Sequence, residues 1–346
     1  MQKWPTLRNM SKYILCYCEV ISLGGSLRQI TINDSRMNIT FKNQEEEKEF
    51  IKEQIKESAK QTEQNESINQ IFHELNSMIG LEKVKDLIYE IYAFLQIEKM
   101  RSEVGLKVGA QSFHMLFKGN PGTGKTTVAR LVAKLFQKMG LLSKGHLIEV
   151  ERADLVGEYI GHTAQKTREL VKKAMGGVLF IDEAYSLARG GEKDFGKEAI
   201  DCLVKVMEDK KDDLIIILAG YPDEMIDFME TNTGLPSRFP IKIDFRDYDV
   251  DELILIANKM VSEREYTLSE AASRKLREIL LDEKISEPIF SNARLVRNLI
   301  EKSIRHQAVR LMSRHTKLSK QDLMLILPND MVSTVENGVK SESIIS

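Results

Sequence analysis

The 346-residue sequence is poor in the residues that stabilise small secreted proteins, with three cysteines, seven prolines and a single tryptophan. Cys16, Cys18 and Cys202 are too few for a disulfide framework, which favours a reducing, cytoplasmic compartment. No second pair of cysteines or histidines follows Cys16 and Cys18 at zinc-ligand spacing, so we interpret them as small apolar side chains. The low cysteine content excludes a disulfide scaffold and disfavours a structural zinc site.

The sequence also lacks a long apolar run and an excess of either charge. Its deepest apolar stretch, residues 214–220, is much shorter than the roughly 18–20 residues that span a bilayer. The run over 13–23 is similar to a secretion signal, but Glu19 interrupts it. Lys and Arg number 50 against 52 Asp and Glu, which disfavours a strongly basic nucleic-acid or membrane binder.

Residues 1–76 are interpreted as a variable N-terminal region. Apolar residues that alternate on either side of an Asn-Asp-Ser turn predict a hairpin over 28–41. Residues 44–65 are rich in Gln, Glu and Lys, which indicates a solvated helix or connector. Apolar residues at helical spacing then predict an amphipathic helix: Ile68, Ile71, Phe72 and Leu75.

Residues 77–247 alternate between short apolar runs and helical patterns. Unalternating runs separated by helices are typical of a parallel sheet covered on both faces, so the predicted fold class is α/β. The predicted strands lie at 113–117, 147–151, 178–182, 214–218 and 241–245. A small all-helical lid is predicted over 248–327, and a polar, loosely ordered tail over 328–346. The predicted lid helices, with no strand between them, cover 249–265, 269–282 and 292–313.

The segment GNPGTGKTT, residues 119–127, carries the Walker A pattern of glycines followed by a lysine and a hydroxyl residue. It follows a predicted strand and precedes a predicted helix, as this phosphate-binding loop requires. Glycines let backbone N–H groups approach phosphate oxygens, and the helix directs its positive end toward them. We expect Lys125 to neutralise the β- and γ-phosphates and Thr126 to offer its hydroxyl to Mg²⁺. The candidate ATP-binding residues are Gly119, Asn120, Pro121, Gly122, Thr123, Gly124, Lys125, Thr126 and Thr127.

A second candidate motif, of the Walker B type, ends the strand predicted at 178–182. Asp182 and Glu183 would lie at the carboxyl end of that strand, where open α/β sheets bind ligands. Asp182 is predicted to hold Mg²⁺ through water, and Glu183 to polarise the attacking water as general base. Many strands end in an acidic turn, so this motif gains its weight from following the Walker A pattern. ATP and Mg²⁺ are the expected ligands.

The sequence resembles the AAA+ ATPases from about residue 77 to residue 325, in the branch that includes a sporulation ATPase and the red-type Rubisco activases. The resemblance rests on long segments: KGNPGTGKTTVARLVAKLF, SKGHLIEVERADLVGEYIGHTAQKT, GGVLFIDEAYSLARGGEKDFGKEAID, LIIILAGYPDEM, LPSRFPIKIDF and FSNARLVRNLIEKSIRHQA. It implies a P-loop AAA+ module with a helical lid, ATP hydrolysis, and assembly into a homo-oligomeric ring that we expect to be a hexamer.

The resemblance also implies roles for residues outside the two motifs. Arg238, in LPSRFP, matches the arginine that reaches the nucleotide of the neighbouring subunit in trans. Arg294 matches the lid arginine that contacts the nucleotide in cis, and Ile79 and Gly80 match a segment near the adenine. Each has a plainer alternative: a solvated surface charge for the arginines, and ordinary core for Ile79. Tyr221 departs from the family, which usually has a polar Asn or Thr there to contact the γ-phosphate or water.

Tyr159, Ile160 and Gly161 match the aromatic, aliphatic and glycine loop that lines the pore of protein-remodelling AAA+ rings. An aromatic and an aliphatic side chain can grip an extended polypeptide without reading its sequence, and glycine lets the loop flex. Without that resemblance the three residues would be interpreted as core or a strand end. Residues 188–197 are glycine-rich and charged, and are either a second pore-facing loop or a surface loop.

The expected function is a cytoplasmic, ATP-hydrolysing ring that remodels or threads a protein client, which no motif identifies. Two alternatives stay open. One is a red-type Rubisco activase, which would respond to a sugar bisphosphate. The other is a nucleotide-controlled scaffold, or a motor acting on nucleic acid, that does not move polypeptide. The near-neutral charge and the Tyr-Ile-Gly loop count against nucleic acid.

Overall fold

The computed structural model describes residues 19–22, 27–32, 35–40, 65–109, 111–159, 161–189, 195–210, 213–287, 289–313 and 317–331. The chain divides into two compact units, Met1–Gln70 and Ile71–Ser346. Within the described residues, no helix is both long and apolar enough to cross a membrane.

The first unit contains a small antiparallel sheet in the order β1-β2-β3. Its strands are β1 (Glu19–Ser22), β2 (Leu27–Ile32) and β3 (Ser35–Thr40). Pairing of β2 with β3, from Ile32 opposite Ser35 outward, confirms the predicted hairpin. Strand β1 also pairs with β2, which the sequence did not predict because its apolar run shows no clear alternation. Cys16, Cys18 and residues 44–64 lie outside the described residues.

Two helices lead into the central sheet. Helix α1, described over 65–76, ends at the turn before α2 (Glu82–Glu103). Phe72 of α1 is 1% exposed and stacks on Tyr89 of α2, with ring centroids 4.4 Å apart. The predicted amphipathic helix is therefore confirmed, and its apolar face is buried.

A parallel sheet in the order β5-β6-β7-β4-β8 forms the centre of the second unit. Each neighbouring pair is parallel, and every residue of β7 is buried. The α/β class and the predicted strands are confirmed, because unalternating apolar runs suit strands covered on both faces. The strands are β4 (Met115–Gly119), β5 (Leu147–Val150), β6 (Val178–Ile181), β7 (Ile215–Gly220) and β8 (Ile241–Phe245).

The connections between these strands cover the sheet and create a crevice at one edge. From β4 the chain crosses to the edge strand β5, returns through β6 and β7, and passes β4 to end at β8. Such a reversal beside β4 opens a crevice at the carboxyl ends of the strands. The helices are α3 (Lys125–Lys138), α4 (Arg152–Leu155), α5 (His162–Ala174), α6 (Gly196–Asp209), α7 (Pro222–Glu230) and α8 (Leu235–Arg238), with a 3-10 helix at Ala184–Ala188.

The predicted helical lid is confirmed, and it also contains a pair of short strands. Asp249 caps the first lid helix by accepting a hydrogen bond from the backbone nitrogen of Glu252 at 2.8 Å. Strand β9 (Thr267–Leu268) pairs in parallel with β10 (Leu325–Ile326). The sequence did not predict this pair, because two residues are too few for a periodic pattern. The lid helices are α9 (Val250–Ser262), α10 (Glu270–Ser286), α11 (Asn292–Met312) and α12 (Lys320–Met324).

Residues 328–331 pack against the lid, although the sequence predicts a loosely ordered tail from residue 328. The carboxylate of Asp330, 1% exposed, accepts hydrogen bonds from Nε and Nη2 of Arg310 at 2.7 and 2.8 Å. It also accepts one from the backbone nitrogen of Leu327 at 2.8 Å. A buried carboxylate is stable here because a bidentate arginine and a backbone donor satisfy it. Residues 332–346 lie outside the described residues.

A buried histidine at the start of β4 predicts pH-dependent stability. Nδ1 of His114 accepts a hydrogen bond from the backbone nitrogen of Ile216 at 3.0 Å, so Nε2 carries the proton and donates to the carbonyl of Met207 at 3.4 Å. Burial lowers the pKa of His114 from 6.5 to about 4. The unfolded chain therefore binds a proton that the folded chain excludes. The stabilisation gained by keeping His114 neutral is complete above pH 6.5. It is lost as the pH falls toward 4, which lowers the free energy of unfolding by up to about 3 kcal/mol.

We expect His114→Asn, which keeps an acceptor for Ile216, to flatten the fall in unfolding free energy between pH 6.5 and 5. Urea unfolding at several pH values, followed by circular dichroism, measures that slope. His73→Asn, at an exposed position, is the matched control. An unchanged slope in the His114 variant would contradict the assignment.

Candidate functional site

The predicted phosphate-binding loop connects the carboxyl end of β4 to the N-terminus of α3. Gly122 and Gly124 have φ values of +72° and +99°, left-handed conformations that glycine adopts without steric cost. At Gly119 the requirement is space, because a Cβ would lie 2.5 Å from the carbonyl oxygen of Phe245 on β8. The glycines let the loop turn tightly over the sheet, and the positive end of α3 is directed at any anion held there.

Lys125 lies inside this loop. Its Nζ donates to the carbonyl oxygens of Gly119 at 2.7 Å and of Asn120 at 2.9 Å. Burial, the largest influence, lowers the pKa of Lys125, while the negative charge of Asp182 raises it and the positive charge of Arg294 lowers it. Because phosphate oxygens are charged, they are stronger acceptors for this ammonium than the carbonyls.

The three threonines of the loop differ in exposure and contacts. Thr123 is fully buried, and its hydroxyl donates to the carbonyl of Asn120 at 2.8 Å, which maintains the loop's shape. Thr126, in the first turn of α3, is half-buried, and Thr127 is exposed. The hydroxyl of Thr126 and the carboxylate of Asp182 are hard oxygen donors of the kind that Mg²⁺ prefers. The donor chemistry at this edge therefore fits a magnesium ion.

Asp182 and Glu183 follow the buried strand β6 at the same edge of the sheet. Oδ1 of Asp182 accepts a hydrogen bond from the backbone nitrogen of Glu183 at 3.0 Å. Glu183 has a φ of +47° and an exposed side chain. A non-glycine residue in this conformation is strained, and such strain clusters at functional sites. Both carboxylates act electrostatically on Lys125, so the fold brings these three predicted residues together.

Tyr221 directly follows β7, at the position where the family usually has a polar residue, and it contacts Tyr185 of the 3-10 helix after β6. The rings of Tyr185 and Tyr221 have centroids 5.8 Å apart. Burial raises the pKa of Tyr185 to about 12, with a smaller contribution from the negative charge of Glu183. Gly220 lies close beneath them, since a Cβ would be 2.7 Å from the ring of Tyr185. Tyr221 is therefore packed on a buried tyrosine that lies within the field of Glu183.

The segment predicted near the adenine, including Ile79 and Gly80, lies beside Tyr248. Gly80 has a φ of +64°, and a Cβ there would be 3.2 Å from the ring of Tyr248. The hydroxyl of Tyr248 donates to the carbonyl of Thr123 at 3.2 Å and lies 3.6 Å from where a Cβ of Gly124 would be. Tyr248 thus joins this segment to the phosphate-binding loop. The sequence did not identify Tyr248 as a site residue, because a tyrosine after a strand is typical of core.

Arg294 lies next to the phosphate-binding loop of its own chain. The backbone nitrogen of Ala293 donates to the carbonyl of Gly122 at 3.3 Å. A Cβ at Gly122 would come within 2.7 Å of the backbone nitrogen of Arg294. The side chain of Arg294 is exposed, and its charge lowers the pKa of Lys125. Arg294, which the resemblance predicts to contact nucleotide in cis, therefore lies beside the predicted phosphate-binding loop.

Arg238, at the end of α8, makes contacts outside this cluster. Its Nη2 forms an ion pair with Oε2 of Glu208 on α6 at 2.9 Å, and its Nη1 donates to the carbonyl of Gly234 at 3.0 Å. The arginine side chain is 28% exposed and that of Glu208 is 72% exposed. Arg238 is thus held near the surface of the chain, outside the cluster around Lys125.

Tyr159 lies at the exposed tip of the loop between α4 and α5. Its side chain is 65% exposed and meets the ring of His162 edge-on, with centroids 5.4 Å apart. Gly161 has a φ of +82° and begins α5. The hydroxyl of buried Thr163 accepts a hydrogen bond from Gly157 N at 2.9 Å, which fixes the base of the loop. Ile160 and residues 190–194 of the second predicted loop lie outside the described residues.

A cleft of about 450 Å³ extends from the base of this loop to Glu183. Nη1 of Arg152 donates to the carbonyl of Ser186 at 2.6 Å and so connects α4 to the 3-10 helix after Glu183. Nζ of Lys166, on α5, donates to the carbonyls of Ala153 and Val156 at 3.2 and 3.1 Å. The Tyr159 loop and Glu183 therefore border one cleft.

Family models match the two halves of this architecture. The model described as "ATPase family associated with various cellular activities (AAA)" matches residues 115–247, and the model "AAA lid domain" matches residues 249–341.

Individual proteins and a solved structure are similar to most of the chain. Stage V sporulation protein K of Bacillus subtilis (strain 168) is 62% identical over 266 residues, which cover 76% of this chain and 82% of that protein. The chromosomal protein CbxX of Cupriavidus necator is 46% identical over 270 residues, which cover 77% of this chain and 85% of that protein. The solved AAA domain of FIGL-1 in complex with ADP has a TM-score of 0.52 at 19% identity. The match covers 76% of this chain and 85% of that structure. At that identity the likeness shows the fold alone.

Proposed function

Because this chain belongs to the AAA+ ATPases and is an ATP-hydrolysing enzyme, we propose that it assembles into a hexameric ring that remodels or threads a protein client. Tyr159 carries the proposal. It is a large aromatic side chain, 65% exposed, on a loop whose base borders the same cleft as Glu183. An exposed aromatic of this kind binds polypeptide without sequence preference. Movement of that loop during hydrolysis would transmit force to a client.

The nucleotide site would bind ATP through the loop after β4. Backbone N–H groups of Gly122 and Gly124 and the N-terminus of α3 would receive the phosphates, and Lys125 would exchange its carbonyl contacts for phosphate oxygens. Thr126 and Asp182 would hold Mg²⁺, which when bound supplies positive charge to the β- and γ-phosphates. Ile79 and Gly80 would contact the adenine, and Arg294 would contact the phosphates from the lid.

Hydrolysis would use Glu183 as general base. Its exposed carboxylate lies beside Asp182 and would orient a water molecule toward the γ-phosphate and accept its proton. Arg238 of a neighbouring subunit would stabilise charge on the transferring phosphoryl group. Assembly would thus be required for turnover, because a subunit would not complete its own site without Arg238 of its neighbour.

The threading proposal is tested by replacing the aromatic side chain of the loop. We expect Tyr159→Ala to abolish the increase in ATPase rate caused by permanently unfolded casein, and Tyr159→Phe to retain most of it. Basal turnover is expected to persist, because the Tyr159 ring contacts His162 outside the nucleotide site. Phosphate release with and without casein measures both quantities.

Other outcomes of that assay separate the alternatives. Stimulation by a sugar bisphosphate but not by casein would favour a red-type Rubisco activase. Stimulation by DNA would favour a nucleic-acid motor. Turnover that none of these alters, or stimulation by casein that Tyr159→Ala preserves, would contradict threading and favour a nucleotide-controlled scaffold.

A further inference from the structure

Asn292, the first residue of α11, is a fully buried amide that contacts three separate segments. Its Nδ2 donates to Oδ1 of Asp247 at 2.7 Å and to the carbonyl of Pro121 in the phosphate-binding loop at 3.3 Å. The same nitrogen contacts the carbonyl of Phe290 at 2.9 Å, and Oδ1 accepts from the backbone nitrogen of Tyr248 at 2.9 Å. One side chain thus joins the loop, the β8–α9 connection and the lid.

Asp247 extends this network into the phosphate-binding loop. Nδ2 of Asn120 lies 3.1 and 3.0 Å from the two carboxylate oxygens of Asp247. The carboxylate therefore bridges two amides, one in the loop and one on the lid. Hydrogen bonds to an ionised acceptor are stronger than those between neutral groups. In a partly buried site, losing one partner leaves the others unsatisfied.

The backbone conformation at Asn292 and the close approach of the lid to the phosphate-binding loop suit this hydrogen-bond network. Asn292 has a φ of +47°, a conformation that asparagine tolerates better than most non-glycine residues. The lid approaches so closely that a Cβ at Gly122 would clash with the carbonyl oxygen of Ser291. Arg294 follows two residues later on the same helical turn. The position of Asn292 consequently determines where the N-terminus of α11 lies against the loop.

We propose that Asn292 and Asp247 are positioning residues that form a polar latch between the phosphate-binding loop and the lid, so that the loop holds nucleotide only while the lid is docked on it. The latch consists of the side chains of Asn120, Asp247 and Asn292. This inference deepens the proposed function, because it rests on the proposed nucleotide site and does not depend on client threading. The latch touches neither Glu183 nor Arg238, so it acts on nucleotide affinity more than on the chemical step.

Asn292→Gly tests the latch, because glycine keeps the left-handed backbone and removes only the amide. We expect the Kd for mant-ADP and the KM for ATP to rise about tenfold, as for loss of one charge-assisted hydrogen bond, with kcat within about threefold. Asn298→Gly, at an exposed position of α11, is the control for introducing glycine into this helix. Fluorescence titration and steady-state phosphate release measure these constants on the full chain.

A swapped pair tests whether the two side chains act on each other. Asn292→Asp alone places two carboxylates together and should weaken mant-ADP binding at least as much as Asn292→Gly. Combining it with Asp247→Asn restores a carboxylate and an amide in exchanged positions, and should recover part of the lost affinity. Such rescue is expected of a direct contact and not of two independent defects.

Either of two results would overturn the proposal. One is a Kd of Asn292→Gly for mant-ADP that lies within twofold of the value for the unsubstituted chain. The other is a swapped variant that binds mant-ADP no more tightly than Asn292→Asp does. If Asn292→Gly fails to fold, as judged by its melting temperature, Asp247→Asn replaces it and must show the same rise in Kd. If the unsubstituted chain itself fails to bind mant-ADP, the nucleotide site is refuted, which is distinct from failure of the latch.

Discussion

Glu183→Gln is expected to abolish ATP turnover, lowering kcat by at least about 100-fold, while nucleotide binding is retained. Glutamine has the same shape but cannot accept a proton from the attacking water. The side chain is exposed and its backbone is held at a φ of +47° by the turn after β6, so the substitution leaves no buried cavity. Lys125 and the phosphate-binding loop keep their contacts, since their bonds are to loop carbonyls.

Phosphate release measures the expected loss of ATP hydrolysis, and titration with mant-ATP measures the nucleotide binding that is expected to be retained. Sedimentation velocity with ATP then reports assembly, which we expect the variant to show more persistently because the nucleotide is not consumed. Glu278→Gln, an exposed position on the lid helix α10, is the matched control for removing one negative charge. Turnover within about tenfold of the unsubstituted enzyme would mean that a different group acts as the base.

Arg238→Ala is expected to lower kcat by about 1,000-fold, with little change in the affinity of a single subunit for nucleotide. Within its own chain Arg238 contacts Glu208 and the carbonyl of Gly234, outside the cluster around Lys125. Its loss should therefore leave the cis phosphate site intact. Arg264→Ala, which removes a surface arginine paired with Glu301 at 3.4 Å, is the control.

Mixing two inactive variants decides whether Arg238 acts in trans. In an equal mixture of Arg238→Ala and Glu183→Gln subunits, about a quarter of the interfaces join an intact Glu183 to an intact Arg238 of a neighbour. We expect the mixture to recover up to that fraction of the unsubstituted rate, increasing as subunits exchange. If both residues served the same subunit's site, no mixed interface would be competent. An inactive mixture that has demonstrably exchanged subunits would therefore refute the trans role.

The strands and motifs of the nucleotide-binding region could be predicted because they depend on local sequence. Unalternating apolar runs identify β6 and β7 as buried on both faces, and the glycine and lysine spacing at 119–127 identifies the loop after β4. Strand β1 and the β9–β10 pair escaped prediction, because the apolar run of β1 shows no clear alternation and a strand of two residues is too short for a periodic pattern.

Residue contacts that cross between segments could not be predicted in the same way. Asp247 is one of several acidic residues after β8, and Asn292 reads as an ordinary residue at a helix start. Only a left-handed φ and burial of its amide beside Pro121 distinguish Asn292. The buried ion pair of Arg310 and Asp330 escaped detection for the same reason, since a polar segment after the last helix resembles a tail.

The sequence by itself determined the α/β class and the family, and it predicted the residues that would meet phosphate and water, because those features follow from periodicity and from fixed spacing within single segments. The tertiary structure alone decided the strand order, the packing of Tyr221 on Tyr185, and the joining of Asn120, Asp247 and Asn292 between loop and lid. These depend on which segments fold against each other. A hydrogen bond between residues far apart in the chain has no local pattern from which to predict it.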